Sequence, residues 1–513
     1  MTYEEVLSAM HALPRVHRAP TMQRILYLLS AVGDPHTKLS GRFIHVTGTN
    51  GKGSTCAFLS SVLTHAGYRV GRFVSPFIMD FCERMEIDGK QIQRETVAAL
   101  GSEIFDAVKR MEKETNETLL EFEIVTAMGL LWFARENCDL VVLEVGIGGR
   151  DDPTNVVTPL LSVITHVDLD HTELLGDTPA AIAEIKAAIV KEGAPCVLGA
   201  ENVPEVQAVL QKRCEETHSA LVIPDTKAAH ITSAKPGALS FTYKEKSYTL
   251  SLSGIYQIEN ALCAIEALTL MPSLGYPIKE SDIAEGLRAA SLPARFEVLK
   301  SAPYVIFDGA HNPSGIASLR RSIETYFDGK QILCLCGMLS DKHPDIALAD
   351  MLSYPHIAEV ACVTPPSPRA MQGEALARVF SENGISASSY PTVAAALKGL
   401  LAKQKKTGMP IICFGSLYLA GEIRRFFGRA DEKTTAPLGE RIAYYKCKWR
   451  KEHLPSIILA TLVWLWSVIG ITALGAKMLA AFLSGALALL IYLLFYNRMM
   501  IYVEKNAFDG SGS

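Results

Sequence analysis

Two rhythms of apolar and polar positions alternate along the first 428 residues. Short runs of branched apolar residues fit buried strands. Between them lie longer stretches whose apolar positions return every three or four residues, as in helices. Phe43-Ile44-His45-Val46, Leu140-Val141-Val142-Leu143 and Leu161-Ser162-Val163-Ile164 are such runs in the first part of the chain. A helix is predicted from Pro179 to Val190, with Thr178 as N-cap and proline in the first turn. Alternation of this kind predicts an α/β fold with a parallel sheet over residues 1–294. A second alternating unit starts at Arg295 and runs to residue 428. Its strands are Tyr304-Val305-Ile306-Phe307, Ile332-Leu333-Cys334-Leu335-Cys336, Val360-Ala361-Cys362-Val363 and Ile411-Ile412-Cys413-Phe414. Its size fits one small doubly wound, Rossmann-like domain.

The rhythm then changes. Residues 429–453 form a linker that ends basic, with Lys446, Lys448, Arg450 and Lys451. Within residues 454–513, Ser456 to Ala476 and Met478 to Tyr496 carry no charge. Each is about 20 residues long, enough to cross a hydrocarbon core. The expectation is a two-helix transmembrane hairpin; a buried core hairpin and a re-entrant one are the alternatives. Trp464, Trp466, Tyr492 and Tyr496 suit membrane interfaces, and the basic residues flank the outer ends. By the positive-inside rule the body of the chain is expected to be cytoplasmic, anchored in the cytoplasmic membrane by residues 456–496.

A length of 513 residues requires more than one domain. The formal net charge of −4 gives no support for a nucleic-acid partner. The 11 cysteines contain no CxxC pair and read as buried thiols of a reducing compartment. The acidic, mixed N-terminus MTYEEVLSAMHALPR is not a signal peptide.

The densest chemistry follows the first strand: Thr47-Gly48-Thr49-Asn50-Gly51-Lys52-Gly53-Ser54. A strand, a glycine-rich turn and a helix start present backbone N–H groups and a positive helix end to an anion. Lys52 supplies charge for outer phosphates, and the Ser54 hydroxyl can hold Mg²⁺. A nucleoside triphosphate is the predicted ligand. Only Thr49 and Asn50 separate Gly48 from Gly51-Lys52, where the usual phosphate loop has four residues. Ordinary switch GTPases and motors are thereby disfavoured.

Further candidates lie downstream. Ser75, in Phe73-Val74-Ser75-Pro76, could reach a metal or shape a turn. Glu144 closes a buried strand, where it needs either a cation or a salt bridge, for which Arg150 is the partner at hand. Thr165-His166-Val167-Asp168-Leu169-Asp170-His171-Thr172 is rich in ligand atoms; His171 is the best second metal ligand, with His166 its rival. Lys186 stands on an apolar helix, where outward snorkelling is the default for a lysine.

Taken together, IHVTGTNGKGS, VSP, FEIVTA, LEVGIGGRDDPTN, THVDLDHTELLGDT, IKAAIVKEG, ENALCAIEAL, LPARFEVL and FDGAHNP resemble the folylpolyglutamate synthase/dihydrofolate synthase family of the Mur-ligase superfamily, over residues 1–428. The resemblance implies an ATP-dependent ligase. It would join L-glutamate to a folate, to dihydropteroate, or to both, through an acyl phosphate. Residues 1–294 would be the ATP-binding domain, and 295–428 the C-terminal ligase domain. Thr49, Asn50, Gly51, Lys52, Gly53 and Ser54 would cradle ATP, with Asn260, Arg295 and Asp308 completing the nucleotide site. Ser54, Ser75, Glu144, His171 and Lys186 would hold Mg²⁺, two ions being implied. Lys186 would carry a carbamate, which replaces the snorkelling reading. Lys52, Lys186 and His311 would be the catalytic residues, and Phe122 and Thr126 would line the folate pocket.

There are two departures from the family pattern. Ser75-Pro76-Phe77 stands where the family often has Ser-Pro-His, and Ile185-Lys186-Ala187-Ala188 lacks the usual acid before the lysine. The catalytic unit is expected to act as a monomer. A cell-wall Mur ligase is the nearest alternative, but the roughly 45 residues before the loop are too few for its UDP-sugar domain. A membrane-tethered nucleotide-binding scaffold without ligase chemistry is the alternative from another class.

Overall fold

The computed structural model describes residues 1–14, 22–342 and 344–428, and Met1–Phe427 cluster as one compact unit. The basic linker and the two apolar runs after it lie outside the described residues. Among the described residues no helix is long and apolar enough to cross a membrane.

The first sheet has eight strands: β1 (Phe43–Thr47), β2 (Val70–Phe73), β3 (Met85–Ile87), β4 (Lys90–Gln91), β5 (Leu140–Glu144), β6 (Pro159–Ile164), β7 (Cys196–Leu198) and β8 (Leu221–Val222). Their order is β4-β3-β2-β5-β1-β6-β7-β8. β1 lies between β5 and β6, parallel to both, and all five of its residues are buried. Such burial follows from helical cover on both faces, and it explains the unbroken apolar runs. Within β1 the faces still alternate. Phe43 packs with the helices Arg94–Thr115 and Glu121–Arg135. Ile44 and Val46 pack with the helices Lys52–His65 and Gln257–Leu270.

One element departs from the expected parallel pattern. β9 (Ala229–Lys235), β10 (Ala238–Tyr243) and β11 (Lys246–Leu250) form an antiparallel meander. Leu239, Phe241 and Tyr243 alternate inwards from β10 and join the core beneath the helix Gln257–Leu270. The sheet edge at β3 and β4 is antiparallel as well.

The last sheet comprises β12 (Glu297–Ser301), β13 (Tyr304–Phe307), β14 (Ile332–Cys336), β15 (Ile357–Cys362), β16 (Ala387–Ser389) and β17 (Ile411–Phe414), in the order β12-β13-β17-β14-β15-β16. Only β12 runs antiparallel to its neighbour. Ile306, Cys334 and Ile412 face one core, with the helix Pro313–Phe327; Val305, Leu335 and Cys413 face the other, with the helix Val393–Thr407. All ten described cysteines are free and buried.

Candidate functional site

β1 ends at Thr47, and the chain turns at Gly48–Gly51 into the helix Lys52–His65. Glycine is required twice in this turn. A Cβ on Gly48 would stand 1.9 Å from Thr165 Oγ1; one on Gly51, whose φ is +92°, would stand 2.2 Å from Asn260 Oδ1. The loop is also fastened to the chain after β6. Thr49 N donates to His166 O at 2.6 Å, and Thr49 Oγ1 pairs with both N and O of Asp168 at 3.0 and 2.9 Å. Thr165 Oγ1 donates to Asn50 O at 2.7 Å. The phosphate loop and the THVDLDH segment are thus one unit.

Two lysines converge on this turn. Lys52 Nζ donates to Gly48 O at 3.0 Å and Thr49 O at 3.2 Å; Lys186 Nζ donates to the same Gly48 O at 2.9 Å. Lys186 does not snorkel outwards. It is 3% exposed, because the helix Pro179–Ala187 that carries it is packed through Ile182, Ala183 and Ala187 into a core with Val145, Leu175, Val206 and Leu210 of other elements. That helix starts where expected, with Thr178 Oγ1 accepting from Ala181 N, but stops three residues short of Val190. Burial, with the Lys52 charge added, lowers the Lys186 ammonium to about 7. An open-mouthed cavity lies over both lysines, walled also by Gly48, Gly148, Asp170 and His171.

Glu144 ends β5 and is 4% exposed. Its Oε2 accepts from Ser75 N at 3.2 Å. Burial raises its carboxyl, while the Lys52 charge and the Ser75 N–H act against that. Arg150 offers it no salt bridge; its Nη2 donates to Glu184 O at 3.4 Å. Gly53 faces the carboxylate, since a Cβ there would be 3.7 Å from Oε2. Ser54 Oγ accepts from Gln257 Nε2 at 3.1 Å, and Ser75 Oγ from Arg84 Nη1 at 3.3 Å. Each hydroxyl keeps a lone pair for a further partner. Arg84 also lies over the Phe77 ring, 5.1 Å from its centroid, where the family often has histidine. Among the described residues no three His, Cys, Asp or Glu side chains form a metal cluster. One buried carboxylate beside two hydroxyls still fits Mg²⁺, which commonly takes few carboxylates and completes its shell from phosphates and water.

His171 reaches the cavity from a turn with φ +50°, and burial lowers its imidazole. His166 is not among the cavity residues; its Nε2 lies 3.9 Å from Asp168 Oδ2. Asp170 meets Lys342 Nζ at 2.7 Å. Burial pushes the Asp170 carboxyl up, but the His171 and Lys342 charges outweigh it and hold it at about 2.

The other carried-over residues separate into two groups. Asp308 and His311 follow β13. Asp308 is 3% exposed and accepts from Tyr256 OH at 2.5 Å, Phe296 N at 2.9 Å and Ala310 N at 2.8 Å. His311 Nδ1 donates to Gly309 O at 2.8 Å, which leaves Nε2 as the free nitrogen; burial lowers this imidazole to about 4. Arg295 Nη1 donates to Ala294 O at 3.1 Å and crowds Gly309. Asn260 donates to Gln257 Oε1 at 2.9 Å beneath Gly51. Phe122 stands behind Gly146, where a Cβ would be 2.6 Å from its ring. Thr126 is fully buried, so the structure places its side chain in the interior and not on an open pocket wall.

Four residues that touch this machinery carry no reading in the sequence analysis: Gln257, Tyr256, Lys342 and Asn312. Gln257 has a local signal, three positions before Asn260 on one helix face. Asn312 has another, an N-cap type directly before a proline. Lys342 has none.

Residues 46–268 match the family model for the Mur ligase middle domain, and residues 294–417 that for the Mur ligase glutamate ligase domain. The folylpolyglutamate synthase of Lacticaseibacillus casei is 36% identical over 433 residues, covering 83% of this chain and 98% of the relative. The dihydrofolate synthase/folylpolyglutamate synthase of Bacillus subtilis is 33% identical over 437 residues, covering 82% and 98%. A solved complex of folylpolyglutamate synthase with AMPPCP and folate superposes with a TM-score of 0.70 at 32% identity, over 83% of this chain and 99% of that one. The Mycobacterium tuberculosis folylpolyglutamate synthase with ADP and AMPPCP gives a TM-score of 0.75 at 30% identity, over 83% and 99%.

Proposed function

The chain belongs to the folylpolyglutamate synthase/dihydrofolate synthase family of Mur ligases, and on that premise we propose how it joins L-glutamate to a folate-type carboxylate at the expense of ATP. The observation that carries this reading is the convergence of Lys52 and Lys186 on the Gly48 carbonyl, beside the buried Glu144 carboxylate. An acceptor carboxylate, of dihydropteroate or of a folate's terminal glutamate, attacks the γ-phosphorus of ATP. The bond to the β-phosphate oxygen breaks, ADP leaves and an acyl phosphate remains. The glutamate amine then attacks the acyl carbon, phosphate departs with the C–O electron pair, and the amine loses a proton. Two anions meet in the first step, so positive charge is mandatory, and Lys52 would supply it. His311, neutral near pH 7, offers Nε2 as an acceptor close to where glutamate would enter.

Ser54, Ser75 and Glu144 would hold Mg²⁺, which when bound offsets charge on the phosphate oxygens. His171 and Lys186 are the pair for a second ion, provided Lys186 is a carbamate. As a neutral amine, Lys186 adds to CO₂, an N–C bond forms and one proton leaves to solvent. The product is a carboxylate able to bind metal. A lysine lowered to about 7 supports this chemistry, because half of it is already neutral there. Asn260, Arg295 and Asp308 complete the nucleotide site, and Phe122 backs the folate wall. The division at residues 294 and 295 is supported by the start of the glutamate ligase match at 294.

An assay with ATP, labelled glutamate and either dihydropteroate or tetrahydrofolate tests the reading. Labelled amide product is expected with at least one acceptor. Glutamate-dependent ADP release without any amide would overturn it.

The apolar runs 456–476 and 478–496 are proposed to anchor this cytoplasmic body in the membrane, on the strength of their charge-free length and basic flanks. Full-length protein should sediment with membranes, and a chain ending at Thr435 should stay in the supernatant. If both remain in the supernatant, the anchor is wrong.

A further inference from the structure

The side chain of Asn50 does not point to its own loop. Its Nδ2 donates to Asn312 Oδ1 at 3.2 Å and to Ser314 Oγ at 2.7 Å, and its Oδ1 accepts from Asn312 Nδ2 at 3.2 Å. These residues are 262 and 264 positions away, on the unit that carries the last sheet. The pairing has a fixed sense. Asn312 is the N-cap of the helix Pro313–Phe327, and its Oδ1 accepts from Gly315 N at 2.9 Å. That bond decides which end of the Asn312 amide is oxygen, and hence which end of Asn50 must face it. Asn312 is 4% exposed, so neither group exchanges its partner for water at no cost. On the loop side, Asn50 O accepts from Thr165, and Thr49 is tied to Asp168. A phosphate-binding turn and a helix N-terminus 262 positions apart in the chain are therefore clamped directly together.

We infer that Asn50 and Asn312 form an amide latch: while the loop's backbone cradles phosphate, the Asn50 side chain seats the glutamate-ligase half over it, so that acyl phosphate meets amine before water. The inference rests on the ligase reading above. Asn50 is a positioning residue in it, acting through Asn312. The two amides are uncharged, and the carboxylate nearest to them is Asp168, which hydrogen-bonds Ser314. The latch sets where the Pro313–Phe327 helix and the preceding Asp308–His311 segment stand relative to Lys52.

Two measurements test it. In the first, ATP consumed per amide formed is counted for the wild type, Asn50→Ala, Asn312→Ser and the double variant. Serine still caps the helix through Gly315 N but is too short to engage Asn50. Each single variant is expected to form amide at least tenfold more slowly. Each should consume several ATP per amide where the wild type consumes one, with KM for ATP within about threefold of wild type. The double variant should be no worse than either single one. An unchanged ratio, or a loss confined to KM for ATP, overturns the latch. Absence of amide from the wild type would instead overturn the ligase reading. The second measurement needs no substrate. Hydrogen exchange at the amides of residues 314–316 should quicken about tenfold in Asn50→Ala, and an unchanged rate overturns the latch whatever the reaction is.

Discussion

Replacing Lys52 by alanine is expected to lower glutamate-dependent ATP hydrolysis by about a thousandfold. The size follows from what the side chain does. Among the described residues its ammonium bonds only to the Gly48 and Thr49 carbonyls of its own loop, and it faces a cavity. The rest of the turn is held by Thr49, Thr165 and the two glycines, so the fold should survive the change. What is lost is the charge facing a phosphoryl group in transfer between two anions. Phosphate release with and without glutamate measures the effect, and a melting temperature near wild type shows that folding is intact. Normal turnover would remove Lys52 from the mechanism. The variant should also shift Lys186, because the Lys52 charge helps to lower it; the Lys186 ammonium then titrates higher.

Lys186→Ala comes next in size. If Lys186 supplies a metal-binding carboxylate, its removal should cost about a hundredfold or more, since even groups that only orient metal ligands are worth about 10–100-fold. Short carboxylic acids such as formate or acetate should restore part of the activity by occupying the vacated space. The wild type should need CO₂, and the need should sharpen on acidification. The sign follows from the lowered ammonium: above pH 7 most of Lys186 is neutral and adds CO₂, and below it protonation blocks the addition. Activity measured in CO₂-depleted buffer at pH 6 and pH 8 reads this directly. An alanine variant that is fully active without added acid would sink the carbamate.

The strands were the most legible part of the chain, for a physical reason. β1, β5 and β14 are covered on both faces, so apart from His45 in β1 and Glu144 at the end of β5 their positions are apolar or small, and the runs stand out against helical spacing. The meander left a weaker trace. Its turn between β10 and β11 is Lys244-Glu245, both at positive φ, where Asn-Gly would have announced a hairpin. The phosphate loop was readable because backbone geometry forces its composition. Lys186 was misjudged from its helix alone, because what buries it is packing from other elements, outside that local sequence. Lys342 meeting Asp170, and Asn312 meeting Asn50, were beyond reach for the same reason: each pair joins residues that only the assembled structure brings together.

The buried cysteines have a practical consequence for labelling this protein. Cys447 lies beyond Thr435, so a chain ending there keeps ten thiols, and all ten are shielded from solvent. Burial holds Cys263, Cys362 and Cys138 at about 12, far from the thiolate form that reacts with maleimides. That chain is a silent background for probe chemistry. Two cysteines introduced on exposed positions, one near Glu173 and one near Arg369, could carry a dye pair without removing any native thiol.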